Sequence, residues 1–233
     1  MLWIFLGVCF LVLLYLGVPW LHGRFCHFIL KRKADSCKAV VLTFDDGPGK
    51  YLTPAVLKIL AENNAKATFF LLGRNIPGCE DVVAAIAEQG HEICSHGYEH
   101  LNYLKISPLR AIGDIKRGWR AIDAALGIRQ GKYTFRPPYG KLNLVCLLYL
   151  LACRVRVVYW SLDLGDTSVR GPDPQKLAAA IETDNGAVVL AHDFDRRDKT
   201  RAQLVLDSVR SVLKAAGRTG KQVLSVSQLL NAG

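Results

Sequence analysis

The run Leu42-Thr43-Phe44-Asp45-Asp46-Gly47-Pro48 constrains this chain most, because an apolar strand delivers two adjacent carboxylates into a sharp turn. Side chains alternate across a strand, so Asp45 and Asp46 can do different jobs in one pocket, one holding a metal while the other moves a proton. A second cluster, Ser95-His96-Gly97-Tyr98-Glu99-His100, follows another short apolar run. Two imidazoles four apart fall on one face of a helical turn, the spacing that offers both nitrogens to a metal. His91-Glu92 does not open a His-Glu-x-x-His motif, since Ser95 stands where the second histidine is required. His96 and His100 with one carboxylate make the three-ligand, open-position set of a catalytic zinc-type site.

Three more constellations follow strand-like runs. Phe135-Arg136-Pro137-Pro138-Tyr139-Gly140 offers a cation on a proline-stiffened backbone, able to hold a carboxylate and aim a main-chain N–H. The run from Tyr159 to Asp166 ends in carboxylates, and that from Val188 to Asp193 ends in His192. Strands are predicted near 39–44, 67–72, 91–94, 133–135, 155–160, 187–190 and 222–226. Helices are predicted between them, with Thr53-Pro54, Ser107-Pro108 and Asp173-Pro174 each placing a cap before a first-turn proline. Functional residues at the C-terminal ends of so many strands predict a distorted, incomplete TIM-like (β/α) barrel rather than an open sheet with one switch point.

The ordered set Thr-Phe-Asp-Asp-Gly-Pro, Ser-His-x-x-x-His, Arg-Pro-Pro-Tyr-Gly, Asp-x-x-Asp and Leu-x-His resembles the NodB-like polysaccharide deacetylases, from about Val40 to Leu224. The resemblance implies a NodB homology domain that hydrolyses N-acetyl or other N-acyl groups on a carbohydrate. It implies Asp45 as base, and Asp46, His96 and His100 as ligands of a divalent metal, Zn2+ first, with Co2+ or another divalent ion admissible. Arg136 would brace the base, the Tyr139 main-chain N–H would help bind the oxyanion, and His192 would be the acid. Asp166 matches the carboxylate that relatives place near that acid. Relatives usually follow it with Trp; here Thr167 stands, which removes a wall on which a sugar ring would stack.

The chemistry is coherent: a metal lowers the pKa of water, Asp45 takes its proton, and a histidine titrating near neutrality protonates the leaving amine. Two other readings stay open. One is a deacylase of lipid-linked (polyprenyl) sugars at the membrane; the other is a catalytically silent glycan-binding protein, against which every base, metal and acid position is filled.

Residues 2–21 carry no charge and are long enough to cross a bilayer as a helix. With no basic n-region and no evident small-residue cleavage site, they read as an uncleaved single-pass anchor. Residues 22–38 read as a short basic linker facing anionic lipid headgroups, and 39–233 as one catalytic domain. Arg24, Lys31, Arg32, Lys33 and Lys38 follow the span and no basic residue precedes it, which predicts a cytoplasmic-facing domain; the resemblance points instead to glycans outside the cytoplasm. The net charge of +10 is partly juxtamembrane and lacks interleaved aromatics, so no nucleic-acid partner is expected. The seven scattered cysteines form no Cys-x-x-Cys pair and read as free thiols. The mixed charges of residues 193–201 read as a loop that is either solvated or turned toward a phosphate-bearing substrate.

Overall fold

The computed structural model describes residues 1–232. Strand β1 (Ala39–Asp45) is buried at all seven positions, as expected for an apolar, β-branched run covered on both faces. β5 (Ala187–His192) pairs with it from Val40 to Asp45. On its other side β2 (Thr68–Leu71) takes the C-terminal half and β6 (Gln222–Leu224) the N-terminal half. β3 (Glu92–Ser95) extends the sheet beyond β2, and β4 (Leu162–Asp163) beyond β5; every pairing is parallel.

Two of the predicted strands shrink to single bridges, Ser95 with Phe135 and Phe135 with Val157. Pro137 and Pro138 lack the N–H a longer ladder would need. The segment after Val155 changes partner as it rises: Val158 N–H donates to Phe135, whereas Ser161 N–H donates to Val188. The result is the expected distorted, incomplete barrel. Period-two alternation sends Val40, Leu42 and Phe44 outward against the helices. Ala39 and Val41 point inward with Phe70, Cys94 and Val188, and α8 (Val226–Asn231) plugs this interior with Val226 and Leu229. The same alternation places Thr43 and Asp45 on the inner face at the top.

The outer layer comprises α2 (Leu52–Glu62), α3 (Glu80–Glu88), α4 (Pro108–Leu126), α5 (Leu144–Ala152), α6 (Pro174–Thr183) and α7 (Lys199–Arg218). Ser107 and Asp173 cap α4 and α6 before their prolines, as predicted. Thr53 does not cap α2, which begins at Leu52. Its start is instead held by the distant Asp195 carboxylate, which accepts from the N–H groups of Lys50, Tyr51 and Leu52.

Helix α1 (Leu2–Ser36) is unbroken over 35 residues and long and apolar enough to cross a membrane. The basic segment read as a linker is therefore its last four turns, with the good helix formers Leu30, Lys31, Arg32, Lys33 and Ala34 near its end. Leu30 and Ala34 join the barrel interior. Lys31 pairs with Asp35 at 2.6 Å and lies 3.7 Å from Asp184, and Lys33 donates to the Ala232 carbonyl. The helix approaches closely because Gly186 has no Cβ; one built there would lie 2.2 Å from the Ala34 carbonyl oxygen. Gly186→Ala is expected to lower stability by about 1–3 kcal/mol, as overpacking does, and to expose residues 22–36 to protease. Thermal unfolding and limited proteolysis in detergent check this; an unchanged melt would show that α1 is not docked here.

Candidate active site

At the top of the barrel the two aspartates part. Asp45 continues the strand inward, whereas Asp46 takes a left-handed conformation, φ 67°, which aspartate tolerates better than most residues. Asp45 Oδ1 accepts from Arg136 Nη1 at 2.8 Å. The same nitrogen donates to Thr43 Oγ1 at 2.7 Å, and Nη2 to the Tyr159 carbonyl at 3.0 Å. Arg136 is wholly buried, its guanidinium 4.1 Å from the centre of the Phe70 ring and 5.7 Å from that of Trp160. A charge this deep is tolerable only with its partners in place, so the pair fixes both members.

His96 Nδ1 lies 2.7 Å from the Arg136 carbonyl oxygen. A carbonyl only accepts, so Nδ1 carries the proton and Nε2 presents a lone pair. His96 Nε2 and His100 Nε2 stand 3.6 and 3.4 Å from Asp46 Oδ1, a buried oxygen with no hydrogen-bond partner. An orphaned carboxylate oxygen facing two imidazole nitrogens, the His96 one a lone pair, is costly unless a cation sits among them. All three ligand atoms lie within 4.8 Å of one another, and one carboxylate with two imidazoles suits a divalent ion with an open position. Burial pushes His100 below the usual imidazole range, which favours the neutral, ligating form.

The histidines do not share a helical turn as their spacing suggested. Residues 96–100 form a loop with Gly97 at φ 85° and His100 at φ 57°. Buried Asp114 of α4 holds that loop, accepting from Tyr98 N–H, Glu99 N–H and the Tyr103 hydroxyl. Gly118 lets α4 approach, since a Cβ there would meet the Gly97 carbonyl oxygen at 2.5 Å.

Across the mouth, His192 ends β5 in register with Asp45. Asp166 binds it twice, Oδ1 to ring Nδ1 at 2.9 Å and Oδ2 to the main-chain N–H at 3.0 Å. Arg196 Nη2 donates to the same Oδ2 at 2.6 Å. Burial alone would lower the imidazole, but the Asp166 hydrogen bond and charge, with the fields of Asp45 and Asp46, outweigh it and raise His192 to about 9. Tyr139 has φ 58°, and its ring lies 4.5 Å from that of His100. The structure thus brings all eight predicted site residues to one face. Thr167 is exposed beside Asp166, and the indoles of Trp20 and Trp160 line a space with Tyr139.

Sequence reading missed the residues that hold this set. Arg196, Asp195, Asp198 and Arg201 belong to the charged run after His192. Most of the run is exposed, yet its side chains make specific contacts: Arg196 anchors Asp166, Asp195 anchors α2, Asp198 caps α7, and Arg201 donates to the carbonyls of Ser168 and Val169. Asp193 is fully buried: its Oδ2 accepts from Thr53 Oγ1 at 2.6 Å, its Oδ1 has no partner, and burial raises it to about 7. It underlies Gly47, where a Cβ would meet Oδ1 at 2.3 Å. The only sequence signal for Asp193 was its place next to His192.

The family profile described as polysaccharide deacetylase matches residues 32–158, more than half of the chain. The chain is 33% identical over 185 residues to the peptidoglycan-N-acetylglucosamine deacetylase PgdA of Listeria monocytogenes, covering 79% of itself but only 38% of that protein. It is 30% identical over 201 residues to a chitooligosaccharide deacetylase of a Bradyrhizobium strain, covering 82% of this chain and 90% of that one. Among solved structures, the Bc1960 peptidoglycan N-acetylglucosamine deacetylase superposes with a TM-score of 0.71 at 27% identity, over 82% of this chain and 87% of the other. Fold, motif order and these likenesses agree: the chain belongs to the polysaccharide deacetylase family.

Proposed function

We propose that this protein is a metal-dependent carbohydrate N-deacetylase. The observation that carries the reading is the sorting of the adjacent aspartates: one oxygen of Asp45 is held by Arg136, while Asp46 offers an orphaned oxygen to two histidines. Relatives named for deacetylating peptidoglycan and chitooligosaccharides support the substrate class. Asp46, His96 and His100 would hold the ion, with Zn2+ favoured by the donor set. When bound, it supplies Lewis-acid polarisation of a carbonyl and acidifies a water.

Asp45 is the base. Arg136 fixes one of its oxygens, leaving Oδ2, 3.8 Å from His96 Nε2, directed at the metal position and placed to take the proton from the attacking water. The Tyr139 main-chain N–H, aimed by the preceding prolines, donates to the oxyanion that develops on the N-acyl carbonyl. His192 gives its proton to the departing nitrogen, and Asp166 keeps it charged and oriented until then. Release of acetate from N-acetylated glycans by metal-loaded protein, and its loss on chelation, is the expected result. No release from chitin oligomers, peptidoglycan fragments or lipid-linked N-acetyl sugars by metal-saturated protein would instead favour the silent glycan-binding reading.

The His192 environment fixes a pH signature. Its raised value means that the acid stays protonated through neutrality and is lost only as pH climbs through about 9, so the alkaline limb of kcat is expected there. Asp166→Asn removes the carboxylate charge that outweighs burial, so that limb is expected to move to lower pH. A pH–rate profile with an unmoved alkaline limb would remove His192 from the acid role.

A further inference from the structure

Helix α1 runs against the strands and fixes which face of the barrel meets the membrane. Near its C-terminal end, Ala34 lies against Gly186, just before β5 begins. Two turns earlier His27 Nδ1 is 2.7 Å from the Trp160 carbonyl oxygen. Two turns earlier again, Pro19 and Trp20 stand beside Tyr139 and Asp163, at the strand ends. The helix therefore climbs from the base of the barrel to its catalytic face and continues beyond it. Residues 12–17 run past Leu104 and Leu142 on that face and residues 2–11 extend beyond them, so the apolar stretch 2–18 spans roughly 25 Å at 1.5 Å per residue, close to the hydrocarbon thickness of a bilayer. Their large apolar side chains are exposed, Trp3 at 83% and Ile4 at 74%.

The rim of that same face mixes exposed apolar side chains with basic ones, among them Lys50, Lys105, Lys141 and Arg170. Leu109 is 82% and Val169 92% exposed, and Tyr51, Leu104 and Tyr139 are exposed beside them. Each lies on the segment that follows a strand or bridge into the catalytic face, so the loops around the mouth offer apolar side chains to a hydrocarbon boundary and basic ones to anionic headgroups.

Two adjoining spaces lie between α1 and the barrel beside Tyr139. A cavity of about 430 Å³ lies between Trp20, Arg24 and His27 on α1 and Tyr139, Trp160 and Asp163 on the barrel. A groove of about 400 Å³ continues from it along α1, between Val12, Leu13, Leu16 and Gly17 on one side and Leu104 and Leu142 on the other. Pro19, Trp20 and Gly140 line both. The first is aromatic and polar with a cation at its edge, suited to a sugar and an anionic link; the second is apolar and runs into the segment that would lie in the membrane.

We propose that the mouth of this site faces the bilayer and that the substrate is an N-acetylated sugar carried on a long apolar chain, the chain lying along α1 and the sugar entering beside Tyr139. This rests on the deacetylase reading and on α1 as an uncleaved anchor. The full-length, metal-loaded protein in mixed micelles is assayed for acetate release from N-acetylglucosamine joined through phosphate to a long isoprenoid chain, from the same sugar phosphate bearing a methyl group, and from chitin oligomers. At least about a tenfold higher kcat/KM is expected with the long chain, a modest part of what burying several methylenes yields. Gly17→Trp fills the groove from a position whose Cβ would meet nothing within 4 Å, and is expected to abolish most of that preference. Equal kcat/KM with and without the chain, or a preference untouched by Gly17→Trp, overturns the proposal while acetate release upholds the deacetylase. No acetate from any of the three overturns both.

Discussion

The buried contact between Arg136 and Asp45 organises the rest of the site. Losing one member of such a pair would strand a charge inside the barrel, at a cost of about 3–5 kcal/mol, so neither can drift. Arg136 also reaches Thr43 and the Tyr159 carbonyl, while its own carbonyl fixes the tautomer of His96. One residue thereby sets the direction of the proposed base, the lone pair of a proposed metal-binding histidine and the spacing of three barrel segments. Its neighbours are aromatic faces and aliphatic groups, so the pair is poorly screened.

Around that centre, carboxylates and an arginine on other elements hold the segments that carry the site. Asp114 of α4 ties down the histidine loop, Asp193 and Asp195 tie down the turn after β1, and Arg196 ties Asp166 to the loop after β5. These contacts cost nothing at the moment of reaction because they are made on folding, which is what preorganised catalysis requires. Helix α1 belongs to the same scheme: its lower half completes the barrel interior and its upper half flanks the mouth, so one rigid element links the core, the site and the projecting apolar segment.

Much of this was legible in the sequence because strand alternation is local. Two aspartates at the end of an apolar run must diverge, and functional residues after five such runs must meet on one face of a barrel. The long-range holders were not legible, because Asp114, Asp193 and Arg196 sit in helical or charged contexts that look the same when merely solvated. The α1 boundary was misread for a related reason: lysines and arginines after an apolar span suggest a solvated linker, yet Leu30 and Ala34 recur at helical spacing and are buried by contacts that only the fold supplies. The spacing of His96 and His100 suggested a helical turn, but Gly97 breaks it and a left-handed His100 restores the approach.

The division of labour between the adjacent aspartates is the claim on which the account stands. Metal content and turnover of the isosteric Asp45→Asn and Asp46→Asn variants test it most directly. Asp45→Asn is expected to retain metal at the wild-type stoichiometry and to lose at least about 10²-fold in kcat, the scale of a general base, whereas Asp46→Asn is expected to lose the metal itself. Metal lost from Asp45→Asn and kept by Asp46→Asn would contradict the assignment.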